Sequence, residues 1–238
     1  MALSPLMKQY LEVKQEHPDC ILMCRIGDFY EMFFEDAKSA SKELDLVLTG
    51  KDCGLEERAP MCGVPHHAVE GYIAKLVSRG YRVAICEQME DPATAKGLVK
   101  RDVVRIITPG TVTEGGYLDD KKNNYISAAF ADEFGCGIAF ADVSTGEISA
   151  TEILGENLVS RVVSEAAAFV PSELICSLAF PQEMSSLFAS RFNTLVSNAD
   201  FADFDLESAI QTIEEIYPPC SPVFTVSIPA SSSLLRMV

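Results

Sequence analysis

The sequence predicts an α/β chain of two units, and three observations carry that prediction. Short apolar runs alternate with segments whose apolar residues recur at three- and four-residue spacing, the periods of buried strands and amphipathic helices. Gly, Pro and Asn/Asp clusters punctuate those runs at element-sized intervals. The 238 residues, 48% hydrophobic and 23% charged, suffice for one large or two ordinary domains with a real core and exclude wholesale disorder.

In the first half, Ser4 suits a helix cap and Pro5 its first position, Leu6, Met7, Tyr10 and Leu11 form a stripe, and Pro18 closes the helix. Cys20 to Ile26 reads as a buried strand, broken by Gly27-Asp28. Phe29 to Phe34 and then Asp36 to Leu44 read as a strand-to-helix junction, and Leu46 to Leu48 as another strand before a polar loop through Pro60. A helix over about 68–79, with Val69, Tyr72, Ile73 and Leu76 inward, stops at Gly80. Strands follow at Tyr81 to Glu87 and near Val103 to Thr108, ended by Pro109-Gly110. These elements make a small mixed α/β domain, residues 1–118, closed by a polar link that contains Gly115 and Gly116.

Residues 119–238 change pattern. Three short strands, Tyr125 to Asp132, Cys136 to Val143 and Glu147 to Leu154, are joined by Gly135 and by Ser144-Thr145-Gly146, which suit hairpin turns. A helix (Glu156 to Phe169), a strand (Leu174 to Ser177), a helix (Gln182 to Ala189), a strand (Thr194 to Ser197) and a helix (Leu206 to Ile216) follow. The order βββαβαβα is that of a ribonuclease-H-like α/β fold. Prolines 218, 219, 222 and 229 forbid one continuous helix in the tail, so completeness of this unit at its C-terminus is left open.

Acids outnumber bases 35 to 19, which argues against a general nucleic-acid coat protein. The bases concentrate early: residues 1–120 hold 14 Lys/Arg and 20 Asp/Glu, net −6, and residues 121–238 hold 5 and 15, net −10. No apolar run approaches the roughly 18 residues of a membrane span, and Met1 to Lys8 lacks a signal peptide's apolar stretch, so a cytoplasmic protein without membrane contact is expected. The eight cysteines form no C-x-x-C pair, which predicts free thiols in a reducing compartment; a metal set from Cys53, Cys62, His66 and His67 matches no common spacing.

The most informative segment is Arg25-Ile26-Gly27-Asp28-Phe29-Tyr30-Glu31-Met32-Phe33. In extended backbone Phe29 and Glu31 leave the same face. An apolar wedge beside a hydrogen-bond acceptor is what a protein needs to open a weak base step and question the loosened base, although aromatic clusters more often bury themselves. The window Lys96 to Arg105 holds four bases (Lys96, Lys100, Arg101, Arg105) against Asp102, and Lys75, Arg79 and Arg82 precede it; as a group they are the candidates for phosphate contacts. Tyr30 and Phe33 are expected to pack beneath Phe29, and His66 and His67 to serve backbone or capping roles at a helix entry.

Four ordered blocks stand together in the first unit, Gly27 to Phe33, Pro60 to Ala68, Val83 to Gln88 and Val104 to Thr111, with Ala141 to Glu147 a weaker one in the second. Through these blocks the chain resembles the N-terminal part of the MutS family of bacterial mismatch-repair proteins. The resemblance implies a mismatch-recognition domain followed by the family's connector domain. It implies that Phe29 is the wedge inserted at a mispair from the minor groove, that Glu31 hydrogen-bonds the mispaired base, and that Ile26 borders the inserted ring. Mismatched or looped double-stranded DNA, a second protomer, the family's C-terminal domains and downstream repair proteins are the implied partners.

No cofactor is expected in this stretch. The family's ATP and magnesium chemistry needs a G-x-x-x-x-G-K-[ST] motif, and around Gly50-Lys51 that motif is missing. The expectation is therefore a DNA-binding fragment, expressed as such or truncated in its gene, and not an enzyme. Two rivals stand beside it: a protein-interaction platform, and a two-metal nuclease built from Asp132, Asp142 and Glu147 on the second unit.

Overall fold

The computed structural model describes residues 3–90, 97–112, 123–199 and 204–216. The chain divides into two compact units, Met1–Pro109 and Gly110–Val238. The expected boundary near 118 and the tail from Pro218 lie outside the described residues.

The first unit opens with α1 (Pro5–Glu16), where Ser4 Oγ accepts from Met7 N at 3.4 Å. Then come β1 (Cys20–Ile26), β2 (Phe29–Phe33), α2 (Phe34–Leu44), β3 (Thr49–Lys51), β4 (Ala59–Pro65), a 3-10 turn (His66–Ala68), α3 (Val69–Ser78), β5 (Arg82–Gln88) and β6 (Arg101–Ile107). The sheet order is β3-β4-β2-β1-β5-β6, with β1 and β5 parallel and the other neighbours antiparallel. The face carrying Leu22, Cys24, Phe33, Ala84 and Cys86 packs on Met7 and Tyr10 of α1.

The strand-to-helix switch inside this unit is built on one side chain. β2 pairs with β1 only along Cys24 to Ile26, because Phe34 adopts φ 53° and turns the chain into α2. Leu22 N, left without a strand partner on that side, donates instead to Asp36 Oδ2 at 3.0 Å. Tyr10 Oη donates to the same oxygen at 3.0 Å and accepts from Phe33 N at 3.3 Å, while Lys14 Nζ lies 2.9 Å from Asp36 Oδ1. Burial and the Asp36 carboxylate hold the Tyr10 phenol well above its ordinary range, which keeps it a donor. One buried carboxylate thus joins α1, β1 and α2.

Two expectations fail here. Leu46 to Leu48 is not a strand: Val47 is 80% exposed, and the ladder begins at Thr49. The stretch read as a loop through Pro60 runs into β4, which was missed because Pro60, Gly63 and Pro65 erase the alternation that signals a strand. β4 is nonetheless central, paired on one side with β2 and on the other with β3.

The second unit comprises β7 (Tyr125–Ala131), β8 (Gly135–Asp142), β9 (Glu147–Leu154), α4 (Leu158–Phe169), β10 (Glu173–Ser177), α5 (Gln182–Phe192), β11 (Leu195–Ala199) and α6 (Leu206–Ile216). Its sheet order is β11-β10-β7-β8-β9, antiparallel from β7 to β9 and parallel from β7 to β11, the βββαβαβα arrangement read from the sequence. Ile138, Phe140, Val162, Val163, Leu174, Met184 and Phe188 fill the core between the sheet and helices α4 and α5.

Candidate nucleic-acid interface

The site is one end of the first sheet. β1 and β2 are joined by the exposed turn Gly27-Asp28, with Gly27 at φ 58°, a left-handed conformation that glycine tolerates. Ile26, Phe29 and Pro65 form a cross-strand row on β1, β2 and β4. His66 N donates to Asp28 O at 2.9 Å, so the turn is tied to the chain leaving β4. The end of β5 and the start of β6 belong to the same end, since Cys24 lies beside Cys86 in the parallel pair and Gln88 opposes Arg101.

The Phe29 ring is 47% exposed, whereas Tyr30, Met32 and Phe33 are buried. Exposure alone does not single it out, because Val47 and Leu178 are barer. What distinguishes Phe29 is its mounting: the backbone is paired on both sides while the ring forgoes much of the roughly 1.5–3 kcal/mol that full burial of such a side chain is worth. Rigid backbone under a solvent-facing ring suits insertion into something soft. Ile26, half-buried and directly opposite, borders the ring.

Glu31 shares the face of Phe29, two residues along. Its Oε2 is ion-paired with Lys51 Nζ from the edge strand β3, and the Lys51 ammonium also lies 5.6 Å from the centroid of Phe33. The opposing residue on β4 is Gly63, where a Cβ would stand 3.4 Å from Glu31 Cγ; the glycine leaves room for the acid to lie across the sheet. On the other face, Tyr30 Oη donates to Glu87, and burial together with that carboxylate pushes the phenol up to about 12. Sequence reasoning missed Lys51, which it weighed only against a phosphate-loop motif, and pattern alone offers no signal that residue 51 meets residue 31.

The two family models that match are MutS domain I, over residues 4–116, and MutS domain II, over residues 124–225. The chain belongs to the MutS family. The DNA mismatch repair protein MutS of Acetivibrio thermocellus is 49% identical over 240 residues, covering 99% of this chain and 28% of that protein. Those of Ruminiclostridium cellulolyticum and Alkaliphilus oremlandii are 47% and 55% identical, over 98% and 73% of this chain and 27% and 20% of their own lengths. The chain therefore spans less than a third of the length of these curated relatives.

The basic residues do not form the single group that the sequence suggested. Lys100 and Arg105 are exposed on β6 and its approach, and neither carries an ion pair among the described residues. Lys96 lies outside the described residues. Arg101 is 8% exposed, and its guanidinium donates to Arg25 O at 2.9 Å, Val99 O at 2.9 Å and Gln9 Oε1 at 3.2 Å. It braces the sheet end from inside, where a phosphate has no access. Arg79 is ion-paired with Glu43 at 2.7 Å and Arg82 with Asp19. Both stand at the far end of the sheet, since Arg82 pairs with Cys20, six residues along β1 from Ile26, about 20 Å at strand rise. Lys75 is exposed on α3 with its ammonium 5.9 Å from the Tyr72 ring centroid.

The metal rivals fare no better. Cys53 belongs to the cluster under α1, with its Sγ donating to Glu57 O at 3.1 Å, while the Cys62 thiol donates to Ala37 O of α2 at 3.4 Å. Asp132 sits at the β7–β8 turn and Asp142 at the β8–β9 turn, opposite ends of an eight-residue strand about 25 Å long, too far apart for paired metal ions about 4 Å from each other. Asp142 is occupied locally: Ser144 donates to it through Oγ at 2.6 Å and N at 2.9 Å, which holds its carboxyl below the ordinary range. Among the described residues, no three His, Cys, Asp or Glu side chains form a metal-holding group. No helix among them is long and apolar enough to cross a membrane.

Proposed function

We propose that this chain binds mispaired or looped double-stranded DNA through the end of its first sheet, with Phe29 inserted at the weak step from the minor groove and Glu31 accepting a hydrogen bond from the displaced base. The observation that carries the reading is a solvent-facing ring on doubly paired backbone, beside an acid on the same face. A mismatched step costs less to unstack and kink than a paired one. Stacking a base on an aromatic is worth roughly 1–3 kcal/mol, comparable with the few kcal/mol of unstacking, so a modest weakening of the step decides whether insertion is favourable.

Glu31 works as a veto. A carboxylate close to phosphates weakens binding unless a base presents it with a donor, so its contribution is to selectivity more than to affinity. Glu31→Ala is expected to keep binding a G·T heteroduplex while holding matched duplex more tightly than the parent chain, read by fluorescence anisotropy. A variant that still rejects matched duplex as well as the parent does would remove Glu31 from the reading.

Lys100, at the approach to β6, and Arg105, opposite Ile85 midway along the sheet, are the phosphate contacts we assign, with Lys96 a further candidate outside the described residues. Replacing Lys100 and Arg105 together with Gln is expected to flatten the slope of log affinity against log salt by about two, at roughly 0.9 for each phosphate contact removed. An unchanged slope assigns the phosphates to other bases. The second unit, acidic and related to MutS domain II, serves as a connector to a second protomer, to the rest of the relatives' chain and to downstream repair proteins. We assign the chain no catalytic step and its DNA binding no cofactor.

A further inference from the structure

We propose that Lys51 is the positioning residue for Glu31 and thereby sets how sharply the site distinguishes a mispair from sound duplex. The inference rests on the DNA-binding reading above and adds a residue to it. Lys51 engages Oε2 of Glu31 only, and no hydrogen bond engages Oε1 among the described residues. The pair is neither free on the surface nor deeply sealed: the Glu31 side chain is 15% exposed and that of Lys51 30%. An ion pair holding one oxygen leaves the other as an oriented acceptor, available to a base that arrives with a donor.

Three further features fix this geometry. Gly63, opposite Glu31, gives the acid room to lie toward β3. Phe33, two residues along β2, carries the ammonium over its ring face at 5.6 Å, which restrains the lysine stem. β3 is a three-residue edge strand held by Thr49, Gly50 and Lys51 against Met61, Pro60 and Ala59, so the lysine is delivered from backbone that is itself in the ladder. The ammonium also offsets part of the repulsion between the Glu31 carboxylate and a phosphate backbone, which lets the acid approach a groove at all. A merely structural pair predicts something different. Removing it would loosen a short edge strand and weaken binding to every duplex by one common factor.

The test is a double-substitution cycle on this chain, reading the ratio of affinities for a G·T heteroduplex and the matched duplex of the same sequence. Lys51→Met is expected to reduce that ratio by roughly two- to tenfold in the parent background and by less than about twofold in the Glu31→Ala background, the non-additivity of residues in direct contact. Lys51→Arg, which keeps a cationic donor, is expected to restore most of the ratio. The same loss in both backgrounds, or no loss in the parent, overturns the assignment. Lys51→Gln carries the same criteria should the Met variant fail to give a native circular dichroism spectrum. Phe29→Ala is measured alongside. If it and Glu31→Ala both discriminate like the parent, the DNA reading itself is wrong; if they lose discrimination and Lys51→Met does not, only the role of Lys51 falls.

Discussion

Phe29→Ala is expected to lower the preference of this chain for a G·T heteroduplex over matched DNA to near unity while leaving its melting temperature almost unchanged. The two halves of that result come from the same geometry. A ring 47% exposed contributes little packing, so its removal costs the fold about 1 kcal/mol or less. The stacking it would give an unpaired step, roughly 1–3 kcal/mol, corresponds to about five- to 150-fold in affinity. Competition between labelled heteroduplex and unlabelled matched duplex reads the effect directly. Undiminished preference in the alanine variant would remove the wedge, and with it the proposed function. A large drop in stability would show instead that the ring is a core residue.

The largest expected effect on stability lies at Asp36, away from the interface. Its two oxygens receive Leu22 N and Tyr10 Oη at 3.0 Å each and the Lys14 ammonium at 2.9 Å, at a residue only 8% exposed. Asp36→Ala strands the Leu22 N–H and takes the carboxylate away from the Tyr10 phenol and the Lys14 ammonium, which keep only the Leu22 and Cys20 carbonyls, in the region where α1, β1 and α2 meet. Removing one partner of such a buried charged network costs about 3–5 kcal/mol, a large share of the 5–15 kcal/mol by which a domain is ordinarily stable. Asp36→Asn keeps one acceptor oxygen and is expected to lose less. Urea unfolding monitored in the first unit tests this, and a midpoint shift worth under about 1 kcal/mol would refute the account. Because this network fixes the switch from β2 into α2, its loss is also expected to loosen the strand that carries Phe29 and Glu31.

Much of this was legible from local pattern. β1, β9 and α6 have the bounds that apolar runs and turn residues indicate, and α1 has the cap and first-turn proline that its sequence advertises. These features depend on neighbours within a few residues, which a sequence displays. β4 was not legible: two prolines and a glycine hide its alternation, and only pairing with β2 and β3 makes it a strand. The basic cluster was legible as composition and misleading as a site. Arg101 and Arg105 are four residues apart on one strand, yet one guanidinium is enclosed by carbonyl oxygens and the other faces solvent.

The sequence by itself determined the family, the order of elements in the second unit, and the placing of Phe29 and Glu31 on one face, because a strand's period of two is a property of the local chain. The tertiary structure decided that the ring is left outside, that Lys51 reaches Glu31, that Arg79 and Arg82 stand at the wrong end of the sheet, and that Asp132 and Asp142 are held a strand's length apart. Each of those facts depends on the register between segments distant in sequence, and register is set by the packing of whole sheets, which no short window contains.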